Sequence, residues 1–217
     1  MEHTLSGVGV IDKAAAVLAA IEAGPVGLAG LVERTELSRA TAHRLATALE
    51  VHGFVRRDGE GRFALGSRLL VLGDAAARHW PIAEAAAPAL AALRDVTGES
   101  AQLYVRDGTT RVCVASLESP HGLRTIVGRG ESLPLDRGSG GRVLSGESGP
   151  DGFVVSIGER EAGVASVSAP VLHAGSVVAA VSVSGPIERL TSDPGPALGS
   201  AVLDAARAIA IAAGLDR

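Results

Sequence analysis

Apolar residues recur at helical spacing along the first third of the chain and then give way to alternation. Ile11, Ala14, Ala15, Leu18 and Ile21 keep to one helix face, and Gly24-Pro25 ends the run. Leu28, Leu31 and Val32 begin a second short helix, and Glu36-Leu37 leaves room only for a tight turn. Ala42, Leu45, Ala46 and Leu49 then form one apolar stripe behind Ser38, whose hydroxyl can accept from a free first-turn amide. Gly53 suits the left-handed position that closes such a helix. Phe54 to Arg57 and Arg62 to Leu65 read as the strands of a hairpin with Asp58-Gly59 at its turn. Two short helices joined by about four residues, followed by a hairpin, predict a winged helix-turn-helix.

The polar face of the third helix carries the candidate chemistry. Arg39, His43 and Thr47 follow at one-turn spacing opposite the stripe, with Arg44 beside them. A helix that buries one side and offers Arg, Thr and His from its N-terminal half fits a major groove. Arg56, Arg57 and Arg62 edge the hairpin, where they can reach backbone phosphates. The candidate DNA-contacting set is therefore Ser38, Arg39, Thr41, His43, Arg44, Arg56, Arg57 and Arg62. A small helical domain whose arginines only face solvent would show the same helices; the basic hairpin favours DNA.

Residues 66–80 predict a connecting helix, with Leu69, Leu70 and Leu72 apolar and Gly73 a soft point. Trp80-Pro81 marks a break, and the next helix runs to about Val96 before Thr97-Gly98. Strand-like runs follow at 100–106, 111–117, 122–128, 153–157, 163–172 and 176–184. Gly138 to Ser145 predicts a short helix and 195–213 a terminal one, which together give an α+β sensor domain. Ser166 and Ser168 alternate with apolar neighbours, as do Ser182 and Ser184, so each pair lies on one strand face. The His173-Ala174-Gly175 turn makes those strands antiparallel neighbours, so the four hydroxyls can share a concavity. A solvated sheet face would give the same alternation.

Composition sets limits. At 217 residues the chain holds one large domain or two small ones. No stretch approaches 18 uninterrupted apolar positions, and no basic N-terminal region precedes an apolar run, so neither a membrane span nor secretion is expected. The single cysteine, Cys113, rules out an internal disulfide and fits the cytoplasm. The net charge of -4 looks wrong for a DNA binder until it is located. Residues 1–80 carry 9 basic and 9 acidic side chains, the remaining 137 carry 11 and 15, and residues 38–62 hold five arginines against three acids. Local charge governs phosphate contact, because fields are screened beyond about 8–10 Å. Lys13 is the only lysine; the arginine bias extends through the acidic half and so reflects GC-rich codons rather than nucleic-acid recognition.

Enzymatic signatures do not assemble. Cys113 sits in a strand-like run without an adjacent base. The histidines His3, His43, His52, His79, His121 and His173 are scattered singly. Gly138-Ser139-Gly140-Gly141 lacks the Lys-Ser/Thr of a phosphate loop, although a Gly-rich helix entry can bind a carboxylate through free amides. Glu159 and Glu161 read as exposed loop acids. No catalytic group and no cofactor are expected.

Two segments resemble the IclR-type transcriptional regulators. Ser38, Thr41, Arg44, Leu45, Gly53, Phe54, Leu65 and Gly66 match the recognition helix, the Gly-Phe and the Leu-Gly wing end of that family. GVASVSAPV (163–171) and VVAAVSVSGPIERLT (177–191) resemble the last core strands of its effector-binding domain. The likeness extends to an actinobacterial branch linked to amino-acid metabolism, leucine synthesis in particular. The resemblance implies a winged helix-turn-helix (7–66), a linker helix (67–80) and a GAF-like or PAS-like mixed α/β effector-binding domain (81–217). It also implies ligand contacts at Ser139, Gly140, Ser166, Ser182 and Ser184, with hydroxyls and amides suited to an amino acid or small carboxylate. The implied partners are double-stranded operator DNA, that effector, and further copies in a homodimer or dimer of dimers; no membrane is involved. Two departures stand out. Ser156 falls about where some members place a pocket aspartate, and the segment between Ser145 and Asp151 is much shorter than usual. The short segment implies an open pocket or a sensor without a ligand. The alternative reading is a small-molecule-binding or enzymatic α+β protein whose N-terminal helices serve oligomerisation.

Overall fold

A computed structural model describes residues 8–78, 81–190 and 193–216. Its contacts divide the chain between Ala76 and Ala77 into two compact units. His3, His79 and Trp80 lie outside the described residues, so the break expected at Trp80-Pro81 is described only from Pro81 onward.

The first unit holds α1 (Gly9–Glu22), α2 (Leu28–Thr35), α3 (Arg39–Val51), β1 (Val55–Arg57), β2 (Phe63–Leu65) and most of α4 (Ser67–Arg78). Val17, Ile21, Val26, Leu31, Leu45, Ala46, Val55 and Phe63 form its core, with one or two side chains each from α1, α2, α3, β1 and β2 and Val26 from the α1–α2 loop. The expected stripe of α1 is only partly used: Ile21 is buried, whereas Ile11 is 60% exposed because the first turn overruns this core. Between α2 and α3 the chain turns through Glu36 in the left-handed region at φ 56°, and Thr35 Oγ1 donates to Leu31 O at 2.6 Å. Ser38 caps α3 as expected, accepting from Thr41 N at 3.3 Å. Gly53 has φ 74° and its carbonyl accepts from Arg68 N, which fixes the start of α4. The hairpin pairs Val55 with Leu65 and Arg57 with Phe63. Its turn is wider than Asp58-Gly59: Asp58 N donates to Arg62 O at 3.0 Å, and the left-handed residue is Gly61 at φ 75°. Asp58 sets this width because its carboxylate accepts from the amides of both Glu60 and Arg62.

The second unit is an α+β layer. A six-stranded antiparallel sheet runs in the order β5-β4-β3-β8-β7-β6. Its strands are β3 (Ser100–Asp107), β4 (Thr110–Leu117), β5 (Ser132–Pro134), β6 (Val154–Ile157), β7 (Val164–His173) and β8 (Ser176–Pro186). Helices α5 (Pro81–Thr97) and α8 (Gly195–Ala212) cover one face, where Ala101, Leu103, Val167, Val181, Val183 and Ile209 are buried together. Of the helices among the described residues, α8 alone has the length and hydropathy (1.2) that crossing a membrane requires, and 39% of it is buried within this protein. The six-residue α6 (Ser139–Leu144) lies on the opposite face, with the one-turn α7 (Ile187–Leu190) after β8. The β7–β8 hairpin closes through Ala174 and Gly175, both at positive φ, as a two-residue turn that matches strand twist.

One expected strand is absent. Residues 122–128 run as an irregular loop, while Ser132–Pro134 pairs with β4 instead. A side-chain hydroxyl takes the place of a ladder bond: Ser100 Oγ donates to Thr125 O at 2.6 Å, and Ser119, ahead of the loop, is tied back to Gly98 O at 2.6 Å. Pro120, Gly122 and Gly128 further disfavour a ladder there.

Candidate functional site

The DNA-facing candidates separate by what their charges already touch. Burial of Ala42, Leu45 and Ala46 turns Arg39, His43 and Arg44 to solvent, with Thr41 half-buried at the cap. Among the described residues, Arg39, Arg44 and Arg56 have no ion pair or side-chain hydrogen bond. The other two wing arginines are occupied. Arg57 pairs with Glu50 at 3.4 Å, donates to Gly61 O at 2.9 Å, and stacks 3.7 Å from the centroid of the buried Phe63 ring. Arg62 pairs with Asp58 at 2.8 Å and with Glu60 at 3.1 Å. That contact holds the Asp58 carboxyl below the usual carboxylate range, mainly through the Arg62 hydrogen bond. The excess positive charge of this segment therefore resides on Arg39, Arg44 and Arg56, and the wing tip beyond Arg57 is locally acidic.

In the second unit the predicted serines do share one face. Ser156, Ser166, Ser184 and Ser100 stand opposite one another across β6, β7, β8 and β3. In the next row Ser168 and Ser182 lie between Val154 and Gln102. Most of this face is buried: Ser168, Ser182, Ser184 and Gln102 are each at most 5% exposed. The reason is α6, whose Ser139 hydroxyl shares 2.7 Å hydrogen bonds with both Ser166 and Ser168. Ser168 donates in turn to Ser182 at 2.9 Å, and Ser184 donates to Gln102 Oε1 at 3.1 Å. Ser139 thus secures the helix to the sheet, while Gly140, Ser156, Ser166, Ser182 and Ser184 line a hollow of about 20 Å³. Such a volume accommodates roughly one water-sized group. None of residues 145–151 lines this hollow. The open groove beside it, about 710 Å³, lies along Arg142, Glu147, Phe153, Val155 and Pro196 instead.

Sequence reasoning missed the basic side of this hollow. Arg111 on β4 and Arg160, with Tyr104 on β3, complete its lining. Arg111 donates to Pro134 O and, at 2.8 Å, to Arg137 O. Burial, the largest influence, pulls its pKa below the ordinary guanidinium value and pushes the Tyr104 phenol up. Three glycines make room for it. A Cβ at Gly138 would stand 3.2 Å from Arg111 Nη2, one at Gly140 would stand 3.3 Å from Tyr104 Cδ2, and one at Gly141 would collide with Leu135 O and Arg111 Nη1. The Gly-rich turn thus serves close packing, and Glu159 ties it down by accepting from Gly138 N at 2.9 Å and from Arg142 at 2.8 Å. Glu159 is structural, and so is Cys113, whose thiol is buried and pushed up to about 12. His121 is exposed in a bend after β4, and His173 is exposed at the end of β7, where Nδ1 lies 3.1 Å from Leu215 O.

Comparison with known proteins accounts for both halves. Residues 10–59 match the IclR helix-turn-helix domain, and residues 74–151 and 147–211 match the bacterial transcriptional regulator IclR C-terminal domain in two pieces. The pieces meet where the connection is short. The glycerol operon regulatory protein of Streptomyces griseus is 29% identical over 249 aligned positions, covering 95% of this chain and 97% of that protein. Those positions outnumber the 217 residues here by more than thirty, so the relative carries segments that this chain lacks. An IclR-family regulator from Brucella abortus superposes with TM-score 0.82 at 21% identity, covering 94% of this chain and 92% of its own. An IclR homologue from Microbacterium hydrocarbonoxydans, solved with 4-hydroxybenzoate, superposes with TM-score 0.76 at 20% identity, covering 94% and 99%. With both domains matched in order, the chain belongs to the IclR family: it is a DNA-binding transcriptional regulator with a C-terminal effector-binding domain, and not an enzyme.

Proposed function

We propose that this regulator grips operator DNA through Arg39, Thr41, His43 and Arg44 of a recognition helix capped by Ser38, with Arg56 on phosphate. The observation that carries this reading is the set of three arginines without an ion pair among the described residues, Arg39, Arg44 and Arg56, in a segment (38–62) whose other two arginines are paired with carboxylates. Arg57 and Arg62 then act on DNA mainly by holding the wing in shape. One short recognition helix reads only a few base pairs, so a homodimer or dimer of dimers on two half-sites supplies the specificity. In this reading residues 7–66 bind DNA, 67–80 link, 81–217 sense, and the protein works in the cytoplasm.

The effector is a small carboxylate or amino acid held at Gly140, Ser166, Ser182 and Ser184, with Ser139 supporting the serines from behind. The polar, buried lining supports this class, and the 4-hydroxybenzoate complex of the Microbacterium homologue is an example of a carboxylate in a related fold. A branched or short aliphatic amino acid is the first candidate, as the resemblance to the leucine-linked branch implies. Because the hollow is about 20 Å³, binding must open it, and regulation requires that the ligand favour one of two states. A mobility-shift assay on the DNA upstream of the gene tests the whole reading, with and without amino acids and small acids. A retarded, salt-sensitive complex whose affinity shifts with one of those compounds is expected. Absence of any complex at low salt refutes it.

A further inference from the structure

The hollow of the second unit contains a charge that the fold does not neutralise. Arg111 is 3% exposed; among the described residues it has no ion pair, its hydrogen bonds go to the neutral carbonyls of Pro134 and Arg137, and its guanidinium carbon stands 5.2 Å from the centroid of the Tyr104 ring. Its Nε is buried with no hydrogen-bond partner among those residues. A guanidinium cannot shed its proton to escape burial, as a lysine can, so one buried without a carboxylate partner is retained only at a large desolvation cost. Arg160 lines the same wall, and its one ion pair among the described residues is a long 3.7 Å contact with the exposed Glu161. The facing wall is neutral: Ser166, Ser182 and Ser184 hydroxyls, with Val164 between the two.

Resting on the effector reading above, we propose that Arg111, with Arg160 beside it, is the anchor for the carboxylate of a small organic acid. The serine wall then reads the uncharged end of the ligand. This assignment asks nothing of Ser139, whose hydroxyl is already committed to Ser166 and Ser168. It also gives Gly138, Gly140 and Gly141 a reason for lacking side chains, because a Cβ at each would crowd the guanidinium or Tyr104. Inorganic phosphate satisfies the charge but leaves the hydroxyl wall and Val164 without a partner, which favours an organic acid.

Thermal unfolding of the full chain tests the anchor. The probes are acetate, pyruvate, isovalerate and leucine, each beside its uncharged or amide counterpart, and inorganic phosphate. At least one acid is expected to raise Tm, with its amide at least about tenfold weaker, as loss of a charge-assisted pair demands. Arg111→Gln should abolish that response while operator binding persists. Should Arg111→Gln unfold, Arg160→Gln serves in its place, since that side chain holds no buried bond, and the acid should then bind several-fold more weakly. Amides as effective as acids, or an undiminished response in a folded Arg111→Gln, overturn the anchor and leave the effector cavity standing. A response to phosphate alone overturns the organic acid. Silence of the whole panel with the wild-type protein overturns anchor and cavity together, whereas operator binding is judged separately.

Discussion

Replacing Arg56 and Arg62 by alanine, one at a time, separates a free charge from a neutralised one on the same hairpin. Both are exposed, both flank the turn, and by sequence both are phosphate ligands. Arg62 already lies 2.8 Å from Asp58 and 3.1 Å from Glu60, whereas Arg56 has no such partner. Each phosphate neutralised on B-DNA contributes about 0.9 to the slope of log K against log salt. At 0.1 M salt that slope corresponds to roughly eightfold in affinity for each contact. Arg56→Ala should therefore weaken binding to operator and random DNA by about that factor per protomer at 0.1 M salt, with the slope shallower by about 0.9. Arg62→Ala removes a cation whose charge two carboxylates already balance, so its slope should change by much less than one contact. Its effect comes instead from exposing Asp58 and Glu60 and loosening the turn. Fluorescence anisotropy on both DNAs from 50 to 200 mM salt measures this. A slope that flattens equally in both variants would falsify the charge separation, because Arg62 must then leave Asp58 to grip the backbone.

The recognition helix, wing and cavity give further expectations. Arg44→Ala should cost ~1–3 kcal/mol of operator affinity and relax specificity at one base pair if it reads a base edge; unchanged affinity for both Arg39→Ala and Arg44→Ala in folded protein removes α3 from the interface. Arg57→Ala should cost about 1 kcal/mol of stability in chemical unfolding of the first unit, through loss of the Phe63 stack and the Gly61 bond, and a change confined to DNA affinity would contradict this. Because Arg62 depresses the Asp58 carboxyl, that pair stabilises the turn above the unfolded carboxylate pKa, and the contribution is lost as pH falls through the lowered folded value. Carboxyl and Gly61 amide NMR shifts should follow that loss in acid and stay flat near neutrality; a transition above the usual carboxylate range runs against it. Ser182→Val should abolish any effector-induced Tm shift at a cost of about 1 kcal/mol in stability, and a full response in that variant places the ligand elsewhere.

Much of the fold was legible because local pattern and tertiary use coincide. The α3 stripe, the Ser38 cap and Gly53 each follow from interactions within a few residues, and the two-fold alternation of serines sets their strand face regardless of neighbours. The rest depended on partners distant in sequence. Nothing in 122–128 announces that Ser100 will hold this stretch as a loop through Thr125 O. Pairing of Arg57 and Arg62 depends on rotamers and on a turn two residues wider than the dipeptide suggests. Arg111 carried a signal that was overlooked: it stands two positions before the buried Cys113, and therefore on the same strand face. An arginine alternating with a buried cysteine marks a charge directed inward.

The bonded serines have a consequence beyond affinity. Each hydroxyl has one hydrogen to give, and Ser168 gives its own to Ser182, so the run reads in one sense: Ser139 donates to Ser168, and Ser166 to Ser139. The Ser166 oxygen therefore faces the hollow with lone pairs and no hydrogen to spare. A ligand group that donates there leaves the whole run intact, whereas one that accepts must take the hydrogen that ties the sheet to the helix bearing Ser139. Ligands of equal size and shape but opposite hydrogen-bond polarity would thus differ in whether α6 stays fastened to β7.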